Sequence, residues 1–308
     1  MSTTIKNYVC EINAQQSEQL HALLSARGWQ FDSIPYAYWR AQYPRVNVVS
    51  YESGKLTVQG EGTADFVQFI LEPEVLKEAR FGYEAELTQI ENPEMFKPHA
   101  GIDESGKGDF FGPLVIACCY TDESNAKKLL EHGVCDSKSI GSDKKIMALD
   151  EKIRQVCNDQ FSLVCIGPEA YNRLYDSFAN LNRMLAWGHA RALENLLEKQ
   201  PDCPRAISDQ FARPDLVRKA LLDKAKKIKL EQRVKAESDI AVAAASILAR
   251  AEFVRRIAAL EKTYQVKLPR GAGAPVLAAG REIVKSNRED ILPKIAKMHF
   301  KTAQQIKS

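Results

Sequence analysis

The chain has 308 residues, 45% of them hydrophobic, which is enough for about two domains with buried cores. Its formal net charge of +3 does not by itself indicate a polyanionic partner. No apolar run approaches the roughly 20 residues of a membrane-spanning helix, so we expect no membrane association.

The cysteines and the first residues bear on the cellular compartment. Seven cysteines, two of them adjacent (Cys118 and Cys119), show no pairing pattern and no C-x-x-C spacing, which is typical of reduced thiols. The segment Met1–Lys6 lacks the apolar stretch of a signal peptide. We therefore expect a cytoplasmic protein. We also expect a monomer, and the sequence implies no protein partner.

Residues 1–88 have the pattern of a small α+β domain. The predicted elements are a strand over 7–12, a helix over 17–27 stopped by Gly28, a strand over 31–42, and a helix from Thr63 to Ile70. Glu72-Pro73 is predicted to interrupt the second helix. Mixed charge without a clear period from Arg80 to Pro98 marks the connection to the rest of the chain, and we place the linker itself at residues 89–98.

The segment 46–60 is predicted to be a β-hairpin with Ser53-Gly54 as a two-residue turn. In that register Val49 pairs with Val58 and Tyr51 with Leu56, which forms an apolar face. The other face then carries Ser50, Lys55, Thr57 and Gln59. Solvent exposure explains such a polar face, and a binding surface is the alternative.

Residues 99–308 alternate between strand and helix patterns and predict an α/β domain with a mixed sheet. One strand is expected to carry Asp103 and Glu104 near its end, and others are expected over 114–120, 161–166, 205–208 and 228–234. Helices are expected from Ser142, from Pro168 to about Lys199 with a break near Asn180, over 214–227, and over 238–265.

The stretch Gly101-Ile102-Asp103-Glu104-Ser105-Gly106-Lys107-Gly108 predicts a strand, a tight turn and a second strand. It matches the beginning of a phosphate-binding loop, but Gly108 stands where that loop needs Ser or Thr. Asp103 and Glu104 would also lie inside a loop that should cradle a polyanion, which disfavours a nucleotide triphosphatase. Because adjacent strand residues point to opposite faces, either one carboxylate is solvated or carboxylates gather at this edge.

Two further acids follow predicted strands, namely Asp209 after 205–208 and Glu237 after 228–234. Ligands of open α/β sheets collect at the carboxyl ends of strands, so Asp103, Glu104, Asp209 and Glu237 could converge there. Like charges at close range need a counter-charge, and oxygen-only ligands favour Mg²⁺ or Mn²⁺. Two such ions would activate water in phosphodiester cleavage.

Positive charge is concentrated between Leu216 and Lys235, a segment that contains eight Lys and Arg residues and only two acids. A solvated face and a phosphate-binding footprint both explain this excess. The run Ala241-Val242-Ala243-Ala244-Ala245-Ser246-Ile247 fits close helix packing as well as simple helix propensity.

Several motifs in order resemble the bacterial ribonuclease HIII family, which is related to ribonuclease HII. They are residues 101–114, Asp136-Ser137-Lys138, Asp209-Gln210-Phe211, and Lys235-Ala236-Glu237-Ser238 followed by Ala244-Ala245-Ser246-Ile247. The first 88 residues, with Tyr51 to Lys55 and Gln59-Gly60, resemble that family's extra N-terminal domain, which is similar in fold to the TATA-box-binding protein. The implied architecture is a ribonuclease H-like catalytic domain over 99–308, with a mixed sheet and flanking helices.

The resemblance implies endonucleolytic hydrolysis of the RNA strand of an RNA/DNA hybrid, leaving 5′-phosphate and 3′-hydroxyl ends, with two Mg²⁺ or Mn²⁺ ions. It implies Asp103, Glu104, Asp209 and Glu237 as catalytic metal ligands. Asp239 is a nearby rival for the fourth position. The implied substrate-binding residues are Ser105, Gly106, Lys107, Gly108, Ser137, Lys138 and Lys55.

Two rival functions make different predictions. A non-catalytic nucleic-acid-binding protein would bind hybrids without a metal-dependent product. A phosphate-loop nucleotide triphosphatase would bind ATP.

Overall fold

The structure is a computed structural model that describes residues 5–78, 80–81, 84–286 and 288–307. The chain divides into two compact units, residues 1–90 and 91–308. All seven cysteines lie in the described ranges, and none of them forms a disulfide. No helix within those ranges is both long and apolar enough to cross a membrane.

The first unit contains one antiparallel sheet and the helices that cover one of its faces. Its strands are β1 (Asn7–Glu11), β2 (Gln30–Asp32), β3 (Ala37–Tyr43), β4 (Val46–Tyr51) and β5 (Lys55–Gln59), in the order β1-β5-β4-β3-β2. Its helices are α1 (Ala14–Ala26) and α2 (Thr63–Phe66), which continues as a π-helix (Val67–Leu76). Helix α3 (Glu84–Glu91) and a 3₁₀ turn (Pro93–Phe96) follow within the segment expected to be the connection.

The predicted register of the hairpin is wrong by one residue. Val48 pairs with Val58 and Val49 with Thr57, so Val49 lies on the outer face. Ser50 lies on the inner face, where its hydroxyl is 2.8 Å from that of Ser17. The connection spans residues 52–54, with the amide of Gly54 bonded to the carbonyl of Tyr51 and Gly54 at φ +84°. The glycine supplies a left-handed residue to a three-residue loop, and a loop one residue longer shifts every pair.

Two other predictions for this unit need correction. The single strand expected over 31–42 is two strands, separated by a turn at Pro35-Tyr36 where Tyr36 has φ +64°. The helix expected to stop at Glu72-Pro73 continues to Leu76 with Pro73 inside it. In an α-helix, proline removes an i→i−4 bond, whereas in the wider π-helical turn the bond that it removes is i→i−5.

The second unit contains a five-stranded mixed sheet between two layers of helices. Its strands are β6 (His99–Ser105), β7 (Leu114–Thr121), β8 (Phe161–Ile166), β9 (Arg205–Asp209) and β10 (Lys229–Arg233). The α-helices are α4 (Glu123–Glu131), α5 (Asp143–Cys157), α6 (Pro168–Phe178), α7 (Leu181–Lys199), α8 (Pro214–Ala220), α9 (Ile240–Tyr264), α10 (Ala274–Lys285), α11 (Leu292–Ile295) and α12 (Lys301–Lys307). Short 3₁₀ turns lie at Ser137–Ser139, Ala225–Lys227, Ala236–Ser238 and Glu289–Ile291.

The strand order is β10-β9-β6-β7-β8, with β6, β9 and β10 parallel and β7 and β8 antiparallel to their neighbours. Alternate residues of β7 enter two separate cores. Val115, Ala117 and Cys119 pack with α5 and α9, whereas Ile116 and Cys118 pack with α7. The α/β prediction with a mixed sheet is confirmed for this unit.

The predicted strands of this unit are all present, and the break at Asn180 is the N-cap of α7. The helix expected over 214–227 is shorter than predicted, because α8 ends at Ala220 and a 3₁₀ turn follows after an extended residue. The sequence patterns did not predict α4 or the helices beyond Tyr264.

Helix α9 lies directly against β6, and one glycine permits that contact. A Cβ atom on Gly101 would be 2.1 Å from the backbone nitrogen of Val242. Only a residue without a side chain allows the two backbones to approach so closely. The contact brings the first turns of α9 over the part of β6 that leads into Asp103.

Candidate active site

Asp103 and Glu104 lie near the end of strand β6 and point to opposite faces of the sheet, where each meets a helix. Asp103 accepts a hydrogen bond from Ser246 of α9. Glu104 Oε2 lies 3.0 Å from Nε2 of His189, a buried residue of α7. The adjacent carboxylates are therefore both held by side chains, and neither is left simply solvated.

The surroundings of the two carboxylates shift their pKa values in opposite directions. Burial and the charge of Glu104 raise the pKa of Asp103 to about 6. Burial also opposes ionisation of Glu104, but the hydrogen bond from His189 and the charge of Lys107 hold its pKa below the ordinary value. Lys107 Nζ is 3.4 Å from Glu104 Oε1. Glu104 is thus the ionised acceptor of the pair.

The hydroxyl of Ser246 also connects Asp103 to the Asp136-Ser137-Lys138 segment. The hydroxyls of Ser137 and Ser246 are 2.5 Å apart, and both side chains are buried. Arg250 of α9 donates to the carbonyls of Ser137 and Ile140, the latter at 2.9 Å. The substrate contact predicted for Ser137 stays a prediction, but its hydroxyl already faces inward toward Ser246.

Asp209 and Glu237 lie at the same edge of the sheet as Asp103. Strands β6 and β9 are parallel, and their ladder ends with Ile102 opposite Ser208, so Asp103 and Asp209 are the next residues on neighbouring strands. Glu237 lies in the 3₁₀ turn that follows β10 and is half-buried. The parallel register is therefore what places these acids at one edge.

Lys138 lies within the electrostatic influence of these acids. Its ammonium lies 3.8 Å from Glu237 Oε1, and its side chain is 70% exposed. Burial alone would lower the pKa of Lys138, but the charges of Glu237, Asp103, Asp136 and Asp209 hold it above the ordinary value. Four acids from four separate segments of the chain thus act on one cation.

Carboxylate oxygens are the donors that Mg²⁺ and Mn²⁺ prefer, so these residues are chemically suited to divalent ions. Within the described ranges, no three His, Cys, Asp or Glu side chains are already grouped as a metal-binding cluster. What the structure provides is a shared edge that carries like-charged side chains, together with lysines that compensate their charge.

The structure also distinguishes Glu237 from its rival Asp239. Asp239 is buried, and it caps α9 by accepting from the amides of Ala241 and Val242. Its carboxylate is also bonded to His99 Nε2. A carboxylate with these partners holds the start of α9 and joins it to β6, which is a role in the fold.

The two glycines beside Lys107 have different surroundings. Gly106 has φ +85°, and a Cβ atom there would lie 2.2 Å from the carbonyl oxygen of Pro113. A Cβ atom on Gly108 would meet no heavy atom within 4 Å. Gly106 is therefore required by the turn itself, while the backbone at Gly108 faces open space.

The remaining predicted residues are placed as follows. Ser105 is half-buried at the end of β6, opposite Val115. Lys55 is exposed at the start of β5 in the first unit, opposite Glu11 of β1.

The chain is similar in sequence to known proteins over nearly its whole length. The family model described as Ribonuclease HII matches residues 100–303. The chain is 43% identical to Ribonuclease HIII of Chlamydia pneumoniae, with 97% of both chains covered. It is 41% identical to Ribonuclease HIII of Protochlamydia amoebophila, with 99% of this chain and 98% of that protein covered. The chain belongs to the ribonuclease HIII family.

Solved structures of the ribonuclease HIII family agree in fold. A crystal structure of Bst-RNase HIII in complex with Mn²⁺ matches 97% of both chains with a TM-score of 0.65 at 28% identity. The Aquifex aeolicus RNase H3 structure matches 94% of this chain and 99% of that chain with a TM-score of 0.52 at 25% identity. As a family member, the chain is an endoribonuclease with ribonuclease H activity. The likeness of the first unit to the TATA-box-binding protein stays a prediction.

The sequence patterns did not indicate a role for His189 or His99. His189 lies on the buried side of α7 beside Ala190, and His99 is fully buried at the start of β6. The only available signal was a histidine at an apolar position of a helix or strand. Such a histidine is usually part of the core, so the pattern alone could not assign it to the site.

Proposed function

We propose that this protein hydrolyses the RNA strand of RNA/DNA hybrids endonucleolytically, leaving 5′-phosphate and 3′-hydroxyl ends, with Mg²⁺ or Mn²⁺ bound by Asp103, Glu104, Asp209 and Glu237. The observation that carries the proposal is the parallel register that places Asp103 and Asp209 next to each other, with Glu237 near Lys138 at the same edge. A bound pair of cations would supply activation of water and stabilisation of the leaving oxygen.

Glu104 is suited to recognise the ribose. His189 orients its carboxylate at 3.0 Å and favours its ionised form, which accepts hydrogen bonds without donating any. The 2′-hydroxyl of RNA is a donor that DNA lacks. We therefore assign Glu104 to the 2′-hydroxyl beside the scissile phosphate, in addition to metal binding.

The predicted phosphate contacts are consistent with the positions of the lysines. Lys107 and Lys138 already lie beside carboxylates of this edge, with side chains 39% and 70% exposed. When a phosphodiester enters, these ammonium groups can bind its oxygens. The open space at Gly108 allows the backbone of the turn to approach the substrate. Ser105 is proposed to act in the same turn.

We also assign the outer face of the first unit to the hybrid duplex. Thr57, Gln59 and Lys55 alternate with the buried Leu56 and Val58 along β5, so their side chains leave the core. A polar face of this kind can contact backbone and 2′-hydroxyls by shape, without reading base sequence. Lys55 would supply a phosphate contact.

The test is cleavage of an end-labelled RNA/DNA hybrid by the full chain in EDTA, in Mg²⁺ and in Mn²⁺. We expect fragments only with metal, from the RNA strand only, with 3′ ends that a polymerase extends. An all-DNA duplex and a duplex with one embedded ribonucleotide are the controls. Cleavage of the all-DNA duplex, or no product with either metal, would refute the proposal.

A further inference from the structure

Phe211 belongs to the Asp209-Gln210-Phe211 motif, of which the proposed metal site uses only Asp209. It follows the end of β9 by two residues, so the segment that carries the proposed metal ligand also carries this aromatic ring. The side chain is half-buried and packs with the core on the α7 side of the sheet. A role in packing alone is therefore the alternative to a role in the site.

The Phe211 ring contacts both side chains that hold the carboxylate of Glu104. Its centroid lies 4.5 Å from that of the His189 imidazole, and the two ring planes are inclined by 52°. The ammonium of Lys107 lies 5.8 Å from the Phe211 centroid, within the range of a cation–π contact. His189 and Lys107 in turn lie 3.0 and 3.4 Å from the two oxygens of Glu104. The ring therefore lies directly behind the groups that orient this acid.

His189 has a hydrogen-bond partner at one ring nitrogen. Its Nε2 bonds to Glu104, whereas its Nδ1 is buried and has no partner within the described part of the chain. His99, by contrast, has an oxygen acceptor at each ring nitrogen. The χ2 torsion of histidine has broad minima, so one hydrogen bond does not fix the plane of the imidazole. The orientation of the His189 ring then depends on packing, and Phe211 is an aromatic ring in contact with it.

We propose that Phe211 is a positioning residue, which fixes the orientation of the Glu104 carboxylate by holding the His189 imidazole. The inference rests on the roles proposed above for Glu104, namely metal binding and contact with the 2′-hydroxyl. Phe211 acts through His189 and does not contact the reacting atoms. Removal of such an outer group lowers metal affinity or activity by about 10- to 100-fold, because a small displacement of a ligand misaligns the reacting groups.

The first test compares Phe211→Leu with Phe211→Tyr in steady-state cleavage of the hybrid by the full chain. Leucine stays apolar but removes the ring, so kcat should fall by about 10-fold or more. Tyrosine keeps the ring, so its kcat should stay close to that of the wild type. A wild-type kcat for Phe211→Leu would overturn the proposal.

Phe178→Leu is the matched control for lost packing. Phe178 is also half-buried, packs against the same core and contacts Trp187 of α7. Phe178→Leu and Phe211→Leu should lower the urea midpoint of unfolding by similar amounts, and Phe178→Leu should keep the wild-type kcat. If both variants lose kcat equally, Phe211 has a packing role only and the proposal is wrong.

A double variant tests whether Phe211 acts through His189. Phe211→Leu should lower kcat less in a His189→Ala chain than in the wild type, because the ring that Phe211 holds is then already absent. If the two losses of kcat multiply, the two residues act independently and the proposal fails.

A further measurement does not depend on cleavage. The chain has five histidines, so ¹³C labelling of histidine gives few signals, and His189→Ala identifies the signal of His189. In EDTA, Phe211→Leu should broaden that signal by exchange between ring orientations on the μs–ms timescale, as relaxation dispersion would detect. Phe178→Leu should leave it unchanged. An inactive wild type would refute the proposed function, whereas an unbroadened His189 signal in Phe211→Leu would overturn this inference whatever the cleavage assay shows.

Discussion

The imidazole of His99 donates from Nε2 to the carboxylate of Asp239, with distances of 2.9 and 3.0 Å to its two oxygens. The other ring nitrogen, Nδ1, lies 2.6 Å from the carbonyl oxygen of Lys97, which can only accept. Each ring nitrogen of His99 therefore faces an oxygen acceptor. This buried pair joins the start of β6 to the start of α9.

The His99–Asp239 pair predicts opposite effects for two acids that are two residues apart. Asp239→Ala removes a helix cap and leaves the buried ring of His99 without its hydrogen-bond partner, so it should lower the free energy of unfolding by at least about 2 kcal/mol. Glu237→Gln should leave stability nearly unchanged and lower kcat at least about 100-fold, since a metal supplies several kcal/mol to the transition state. Urea unfolding and hybrid cleavage measure both. If Asp239→Ala is stable but inactive, Asp239 is the metal ligand and Glu237 is not.

Asp103→Asn should abolish cleavage without abolishing hybrid binding. The amide keeps the size of the side chain and the contact with Ser246, but it loses the charge that a divalent ion needs. We expect kcat to fall by about 1,000-fold or more, which corresponds to about 4 kcal/mol. Binding measured in Ca²⁺ should remain within a few-fold of the wild type. Cleavage at the wild-type rate would remove Asp103 from the site.

The two glycines of the turn should respond differently to alanine. Gly106→Ala forces a Cβ atom against the carbonyl of Pro113 at positive φ, so it should destabilise the protein by at least about 1 kcal/mol. Gly108→Ala meets no protein atom, so it should leave unfolding unchanged and raise KM for the hybrid. Unfolding and steady-state kinetics of both variants provide the comparison. If Gly108→Ala cleaves like the wild type, the substrate backbone does not approach at this residue.

Lys297 predicts a pH dependence of stability. Its side chain is fully buried and donates to the carbonyl of Asp109 at 2.8 Å, and burial lowers its pKa from 10.5 to about 7. Between about pH 7 and pH 10 the unfolded chain holds a proton that the folded chain has released. Stability therefore rises with pH in this window, by up to about 1.4 kcal/mol per pH unit.

Lys297→Met should remove that rise. The free energy of unfolding of the wild type should therefore increase relative to that of the variant from pH 7 to pH 10. Below about pH 7 the difference between the two should be constant, because the lysine is then protonated in both states. The exposed Lys301 gives a matched control, and Lys301→Met should keep the slope of the wild type. If the free energies of unfolding of Lys297→Met and the wild type differ by a constant amount from pH 7 to pH 10, the burial argument is contradicted.

Predictions from local sequence pattern succeeded for elements whose type and bounds depend on one short segment alone. The strand over Phe161–Ile166 and the break at Asn180 follow from residues that are neighbours in the chain. The hairpin register failed because it depends on whether two or three residues form the turn. The proline inside the π-helix failed for a similar reason, since a wider turn changes which hydrogen bond the proline removes.

For the acids of the site, the sequence pattern predicts their places in the chain but not their proximity in space. Their positions at strand ends can be seen in the sequence, and motif resemblance selects Glu237 before Asp239. Their proximity depends on the parallel pairing of β6 with β9, which is a contact between residues about 100 positions apart. No local pattern specifies which strands become neighbours, because pairing is decided by how the helices cover both faces of the sheet.

The sequence by itself determined the family, the α/β class of the second unit and the identity of the acids that we assign to the metals, because each is encoded in short motifs and in the alternation of polar and apolar residues. The tertiary structure decided which side chain holds each acid. Ser246 holds Asp103, His189 holds Glu104 and His99 holds Asp239, each across a long separation in the chain. The physical reason is that a buried polar group needs a partner in space, and only the packed sheet and helices determine which residue is close enough to be that partner.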